Sequence, residues 1–168
     1  MDDAISSLPN RAGPRPETGP SMPHQQLTEN APPEMQEALF ARAAGLPWVR
    51  VGRSGVSVPG ARAFILEDDM AMGPPEAFMV GAEFAHLHPP YDGSLHLALP
   101  AEEAKEVEGK DWGELHPLAR LGVMPPTAVM VFGPRDADEL EVVWTILRVS
   151  YAFARGGESP AGGRKPPT

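Results

Sequence analysis

A chain of 168 residues is long enough for one domain with a real core and short of two. The absence of cysteine excludes disulfides, thiolate chemistry and cysteine-bound zinc, and a formal net charge of −9 argues against a nucleic-acid partner, whose phosphates need a basic face. No polybasic cluster suits an anionic membrane, Met1-Asp2-Asp3 opens no apolar leader, and apolar runs such as 128–132 are far too short to span a bilayer. A cytoplasmic location is expected, and the oligomeric state is left open.

Residues 1–33 hold seven prolines and little that packs, so they are expected to be a disordered tail, His24 with them. Glu34 to Ala44 predicts a helix: prolines precede it, Met35, Leu39 and Ala43 recur at helical spacing, and Gly45 ends it. Trp48 to Val51, Val56 to Val58 and Ala61 to Leu66 are short β-rich runs punctuated by Arg53-Ser54-Gly55 and Pro59-Gly60, which suits antiparallel strands. Phe78 to Val80 fits neither element. A charged helix follows Pro100 up to about Glu108, and Thr127 to Phe132 suits a buried central strand. Asp136 with Glu139 three residues on is a capping-box pattern for a long helix whose stripe is Leu140, Val143, Trp144, Leu147 and Tyr151. Residues 156–168, rich in glycine and proline, predict a second disordered tail. The fold expected over 34–155 is a single α+β domain, a mostly antiparallel sheet with helices packed on one face.

Four of the five histidines fall between His86 and His116. In Glu83-Phe84-Ala85-His86-Leu87-His88, alternation puts His86 and His88 on one face and Leu87 on the other. In Ser94-Leu95-His96-Leu97-Ala98-Leu99, the leucines define a core face and His96 lies opposite. Antiparallel pairing through the Pro89-Pro90-Tyr91-Asp92-Gly93 turn therefore gathers three imidazoles on one surface. Three uses are open to them: hydrogen-bonded structural histidines, a ligand pocket with a histidine base, or a metal site with Glu83 or Asp92 as an oxygen ligand. By the same alternation Glu83 falls on the face of Leu87, where a buried carboxylate needs a partner, and Arg62 is the expected one. Asp92, Ser94 and His96 are the right types for a hydrolase triad, but side chains two apart on one strand do not form its relay. No nucleophile elbow, phosphate loop or dinucleotide fingerprint is present.

Val58-Pro59-Gly60-Ala61-Arg62, Gly81-Ala82-Glu83-Phe84-Ala85-His86-Leu87-His88-Pro89, Asp92-Gly93-Ser94-Leu95-His96-Leu97, Trp112-Gly113-Glu114-Leu115-His116-Pro117-Leu118-Ala119 and Gly133-Pro134-Arg135-Asp136, in this order, resemble the luciferase-like domain family. That family contains fungal luciferases and small bacterial proteins, and the surroundings rich in alanine, arginine, glycine and proline suit a bacterial member. The resemblance spans roughly residues 45 to 155. The fungal members oxidise 3-hydroxyhispidin, an α-pyrone polyphenol, with molecular oxygen, giving carbon dioxide and light.

The resemblance implies a small-molecule pocket and a candidate oxygenase acting on a pyrone or polyphenol. His86, His88 and His96 are its expected catalytic residues. Arg62 or Arg135 would hold an oxyanion, Phe84, Tyr91 and Trp112 would wall an aromatic substrate, and Glu83, Asp92 and His116 would make polar contacts. An electron-rich enolate meets oxygen without help, so no cofactor is expected, with a divalent metal on His86, His88 and His96 the alternative. The competing function is a non-catalytic module that binds a small ligand or a metal.

Overall fold

A computed structural model describes residues 4–19 and 23–157. Helix α1 spans Pro33–Ala44, entered through Pro33 at its first position, where a missing N–H costs nothing. Strands β1 (Val49–Arg53), β2 (Arg62–Leu66), β3 (Glu83–Leu87) and β4 (Leu95–Ala98) follow as an antiparallel meander. Helix α2 (Ala101–Gly109), strand β5 (Gly113–Leu115), the single-turn helix α3 (Pro117–Arg120), strand β6 (Ala128–Val131) and helix α4 (Ala137–Ala154) complete the order. The six strands form one sheet in the order β1-β2-β3-β4-β6-β5, every pair antiparallel. The protein is α+β, as the sequence predicts.

One face of the sheet carries the core. Phe64, Ala85, Leu87, Leu95, Leu97, Val129 and Val131 project toward Leu39 and Ala43 of α1, Val107 of α2, and Val143, Ile146 and Leu147 of α4, all essentially inaccessible to water. The Asp136 side chain accepts from the Glu139 N–H at 2.9 Å and caps α4. Glu139 reaches back to the Arg135 N–H at 2.9 Å, one residue before the position of the standard capping box. The buried stripe of α4 is rotated from the expected one: Ile146, Val149 and Ser150 are buried, whereas Trp144 and Tyr151 are partly exposed. Leu147→Ala is accordingly expected to cost about 2–5 kcal/mol in denaturant unfolding, and Trp144→Ala clearly less, with equal costs refuting this placement. Among the described residues, no helix is long and apolar enough to cross a membrane.

The N-terminal segment departs from the expected tail. Ile5 is fully buried in the core cluster, Trp112 Nε1 donates to the Pro9 carbonyl at 2.7 Å, and the Arg11 N–H bonds the Lys110 carbonyl at 2.9 Å. Residues 17–19 and 25–27 pair with each other through Gly19 N–H to Gln25 O and Leu27 N–H to Glu17 O, both at 2.8 Å. A few anchors of this kind fix a proline-rich segment that composition alone reads as unpacked. Of the expected C-terminal tail, residues 158–168 lie outside the described residues.

Candidate functional site

Residues directly opposite one another in an antiparallel sheet share a face. On the face turned away from the main core, the register sets Ala63 opposite His86, His86 opposite His96, His96 opposite Met130, and Met130 opposite Glu114. The small Ala63 leaves room beside the imidazoles. His88 continues the ladder beyond β3 through its N–H to the Ser94 carbonyl at 2.9 Å. The turn between them closes on Gly93 at φ +73°, a left-handed backbone that favours glycine, and a Cβ there would crowd the Gln36 side chain. His86, His88 and His96 therefore gather on one surface, as alternation predicts, and their rings stack almost in parallel. His88 and His96 lie 3.8 Å apart at 5°, and His86 lies 5.1 Å from His96 at 13°.

His24 and His116 join them. His24 meets His96 edge-on at 5.7 Å and His116 at 5.1 Å, so all five histidines of the chain converge. A cavity of about 570 Å³ opens over them, within the range that takes a small organic molecule. Its walls come from the β1–β2 loop (Val56, Ser57, Val58), from Pro23 of the N-terminal segment, and from Met79 and Met124.

Each imidazole is oriented by its own partner. His86 Nδ1 faces Glu83 Oε2 at 2.8 Å, and the same carboxylate accepts from Ser54 Oγ at 2.8 Å and from the Gly55 N–H at 2.9 Å. A carboxylate only accepts, so His86 carries its proton on Nδ1 and presents the Nε2 lone pair. Burial pushes the His86 imidazole below its ordinary value against the pull of Glu83. Burial would raise Glu83, yet the bonds from His86, Gly55 and Ser54 hold it below the usual range. His88 Nδ1 faces Asp92 Oδ2 at 2.8 Å, and its Nε2 meets Ser57 Oγ at 3.0 Å. His96 Nε2 meets Ser94 Oγ at 3.1 Å; complete burial, with His88 and His86 alongside, pushes this ring well below its ordinary value.

His116 caps α3, its Nδ1 accepting from the Leu118 N–H at 3.1 Å, so the neutral ring bears its proton on Nε2. Burial and the neighbouring His24 lower it to about 4. His24 Nε2 contacts Glu114 Oε1 at 2.6 Å, and its buried Nδ1 has no hydrogen-bond partner among the described residues. Burial opposes ionisation of Glu114, but bonds from His24, Thr18 and Arg15 bring its carboxyl down to about 2.

The remaining expected site residues divide. Asp92 and Glu83 sit behind the histidines as orienting carboxylates, Glu83 contrary to simple alternation. Between Phe64↔Ala85 and Ile65↔Glu83 the register shifts, and this bulge puts Phe84 into the core and turns Glu83 to the histidine face. Arg62 does not meet Glu83. It lies on the helix side, paired with Glu37 at 2.8 Å and stacked on Phe40 at 4.0 Å. Arg135 pairs with Glu139 at 2.6 Å and with Glu29 at 3.3 Å. Tyr91 is 65% exposed, Trp112 is buried in the core cluster, and neither they nor Phe84 line the cavity. Ser54, Ser57, His24 and Glu114 were not anticipated. Ser57 directly precedes the Val58-Pro59-Gly60 motif, and that adjacency is the signal that could have found it.

A protein-family model described as a luciferase domain matches residues 81–150, the stretch that carries His86, His88, His96 and His116. The chain is 33% identical over 175 residues to a luciferase of Armillaria mellea, covering 94% of this chain and 64% of that protein. It is 45% identical over 82 residues to a luciferase of Armillaria gallica and 44% over 82 residues to one of Neonothopanus nambi, each match covering 48% of this chain and 30% of the relative. These relatives are fungal. No solved structure matches. The chain spans about 64% of the length of the Armillaria mellea protein, and the similarity over 94% of its own residues takes in much of the N-terminal segment that helps to build the cavity. The matched stretch carries four of the five histidines of the cavity, and over residues 81–150 the chain matches the luciferase domain family.

Proposed function

We propose that the cavity binds a hydroxylated ring compound, a pyrone or polyphenol, and that the domain oxidises it with molecular oxygen. The observation that carries this is the Glu83–His86 pair on the cavity floor: a buried neutral imidazole whose proton is fixed on the far nitrogen by a carboxylate at 2.8 Å. That is the form a general base needs. His86 Nε2 takes the proton of an enol or phenol, and the electron-rich enolate left behind reacts with oxygen. Among the described residues no arginine lines the cavity, and the charge that develops is met by imidazole N–H groups, with His116 Nε2–H the donor its cap assigns. Val56, Val58, Met79 and Met124 supply the apolar walls for the ring.

The test is oxygen uptake by the full chain on a panel of hydroxy-pyrones and polyphenols, with photon counting in the same cuvette. His86→Gln is expected to lower uptake by about 10²-fold or more while leaving the melting curve near that of the parent. Absence of uptake across the panel, or a variant as active as the parent, would sink the oxygenase.

One observation favours a second reading, a non-catalytic metal-binding module: His86, His88 and His96 each offer a ligand atom, all within 4.8 Å of one another. Coordination by His88 would go through Nε2, its Nδ1 being held by Asp92, and would require Ser57 to release that nitrogen. Stoichiometric divalent metal in the purified protein, without turnover, would support the module.

A further inference from the structure

We propose that Ser57, His88 and Asp92 form a nucleophilic relay, so that the cavity can transfer the acyl group of an ester or lactone to Ser57 and then to water. This goes beyond the oxygenase reading and does not depend on it. Ser57 Oγ lies 3.0 Å from His88 Nε2, and His88 Nδ1 lies 2.8 Å from Asp92 Oδ2, which is the hydrogen-bond order a serine nucleophile, its base and an orienting carboxylate require. Asp92 accepts only, so the His88 proton sits on Nδ1 and the Nε2 lone pair is turned to the hydroxyl.

The three groups are held as a relay needs. His88 and Asp92 are buried, and the Asp92 carboxylate is fixed by the Ser94 N–H at 2.9 Å and the Gln26 N–H at 3.3 Å. Burial opposes its ionisation, but the bonds from His88 and Ser94 keep its carboxyl below the usual range. Ser57 is half-buried in the cavity wall, and its backbone is set by a local turn in which Ser54 Oγ accepts from the Ser57 N–H at 3.1 Å and the Val56 N–H at 3.2 Å. Ser57 lines the cavity, whereas Ser94, against His96, is fully buried. The relay draws its members from the β1–β2 loop, the end of β3 and the turn after it, which is why no spacing along one strand revealed it.

The chemistry balances without any redox partner. Ser57 Oγ bonds to the carbonyl carbon while His88 Nε2 takes its proton. The tetrahedral alkoxide collapses, the bond from carbon to the leaving oxygen breaks, and that oxygen receives the proton from His88. Water then attacks the acyl-serine, His88 removes its proton, and Ser57 Oγ is restored with that proton as the acid departs. An α-pyrone is itself a cyclic ester, so such a small molecule falls within reach of both chemistries.

The experiment is covalent labelling of the full chain with a fluorophosphonate, mapped by peptide mass spectrometry. One adduct on Ser57 is expected, with a labelling rate at least 10²-fold lower in His88→Gln and in Asp92→Asn. A folded parent that takes no label on Ser57, or an Asp92→Asn variant labelled at the parental rate, would overturn the proposal and leave the oxygen-uptake assay unaffected. A second measurement guards against misfolded variants. Because the chain has no cysteine, Ser57→Cys introduces a single thiol. Its alkylation by iodoacetamide should follow a pH midpoint well below that of a free thiol, near 8.5, and return to it when His88→Gln is added. An ordinary thiol midpoint in Ser57→Cys alone would refute a basic His88 at this position.

Discussion

Deleting residues 1–30 is expected to destabilise the protein by more than about 3 kcal/mol and to abolish ligand binding in the cavity. Ile5 is fully buried in the main core, and replacing a buried isoleucine with alanine alone costs roughly 2–5 kcal/mol. The deletion also uncovers Trp112 Nε1, which loses the Pro9 carbonyl, and Gly133 N–H, which loses Gln26 Oε1 at 3.0 Å. It removes the Gln26 N–H from Asp92 and the whole of Pro23 and His24, so the carboxylate behind His88 loses a donor and the cavity loses one wall. Thermal melting of the truncated chain beside Ile5→Ala reads the two contributions separately. A truncated chain that melts with the parent would mean that the segment lies on the domain without contributing to it.

That segment marks where sequence reasoning stops. Helices α1, α2 and α4 and strands β2, β3, β4 and β6 are legible because apolar periodicity, proline entry and the Asp136 cap each point to one structure. Strand β5 is three residues with a glutamate at its centre, Gly113–Leu115, and exists because it pairs with β6. A short edge of this kind carries no period of its own. The N-terminal segment fails differently. Its composition is that of a tail, and its docking rests on single anchors, Ile5, Pro9 and Gln26, which no local pattern singles out.

The site divides along the same line. Alternation in the two histidine runs puts His86, His88 and His96 on one face, because a strand period of two is a strong local rule. It misplaces Glu83, because a one-residue bulge at Phe84 resets the alternation, and a bulge has no signature in this stretch. Arg62 and Arg135 are the right chemical type for an oxyanion holder, but both are committed to carboxylates elsewhere. Ser57 and His24 reach the cavity from the β1–β2 loop and the N-terminal segment, Glu114 of β5 holds His24 in place, and those approaches exist only in three dimensions.

The convergence of five buried histidines has a thermodynamic consequence. Stability is expected to fall as pH drops from about 7 to 4, before the carboxylates are protonated. His86, His96 and His116 are all held below their ordinary value by burial, so the folded state keeps them neutral while the unfolded chain takes up protons near pH 6.5. The sign follows: above about 6.5 neither state binds these protons and nothing is lost. Below it the unfolded state gains, until the folded groups titrate in turn. For His116, lowered to about 4, the loss on reaching that pH is about 3 kcal/mol. Glu114, held at about 2, adds a loss that begins only below about 4.5. His116→Asn separates the effect from the cap, because an asparagine at this position also accepts from the Leu118 N–H and has no proton to gain. Denaturant unfolding of both proteins at pH 7.5, 6, 5 and 4 should show the parent losing about 3 kcal/mol more than the variant across the series. Parallel losses in the two would show that His116 titrates normally and that the closed packing of His24 against it is not what keeps the imidazole neutral.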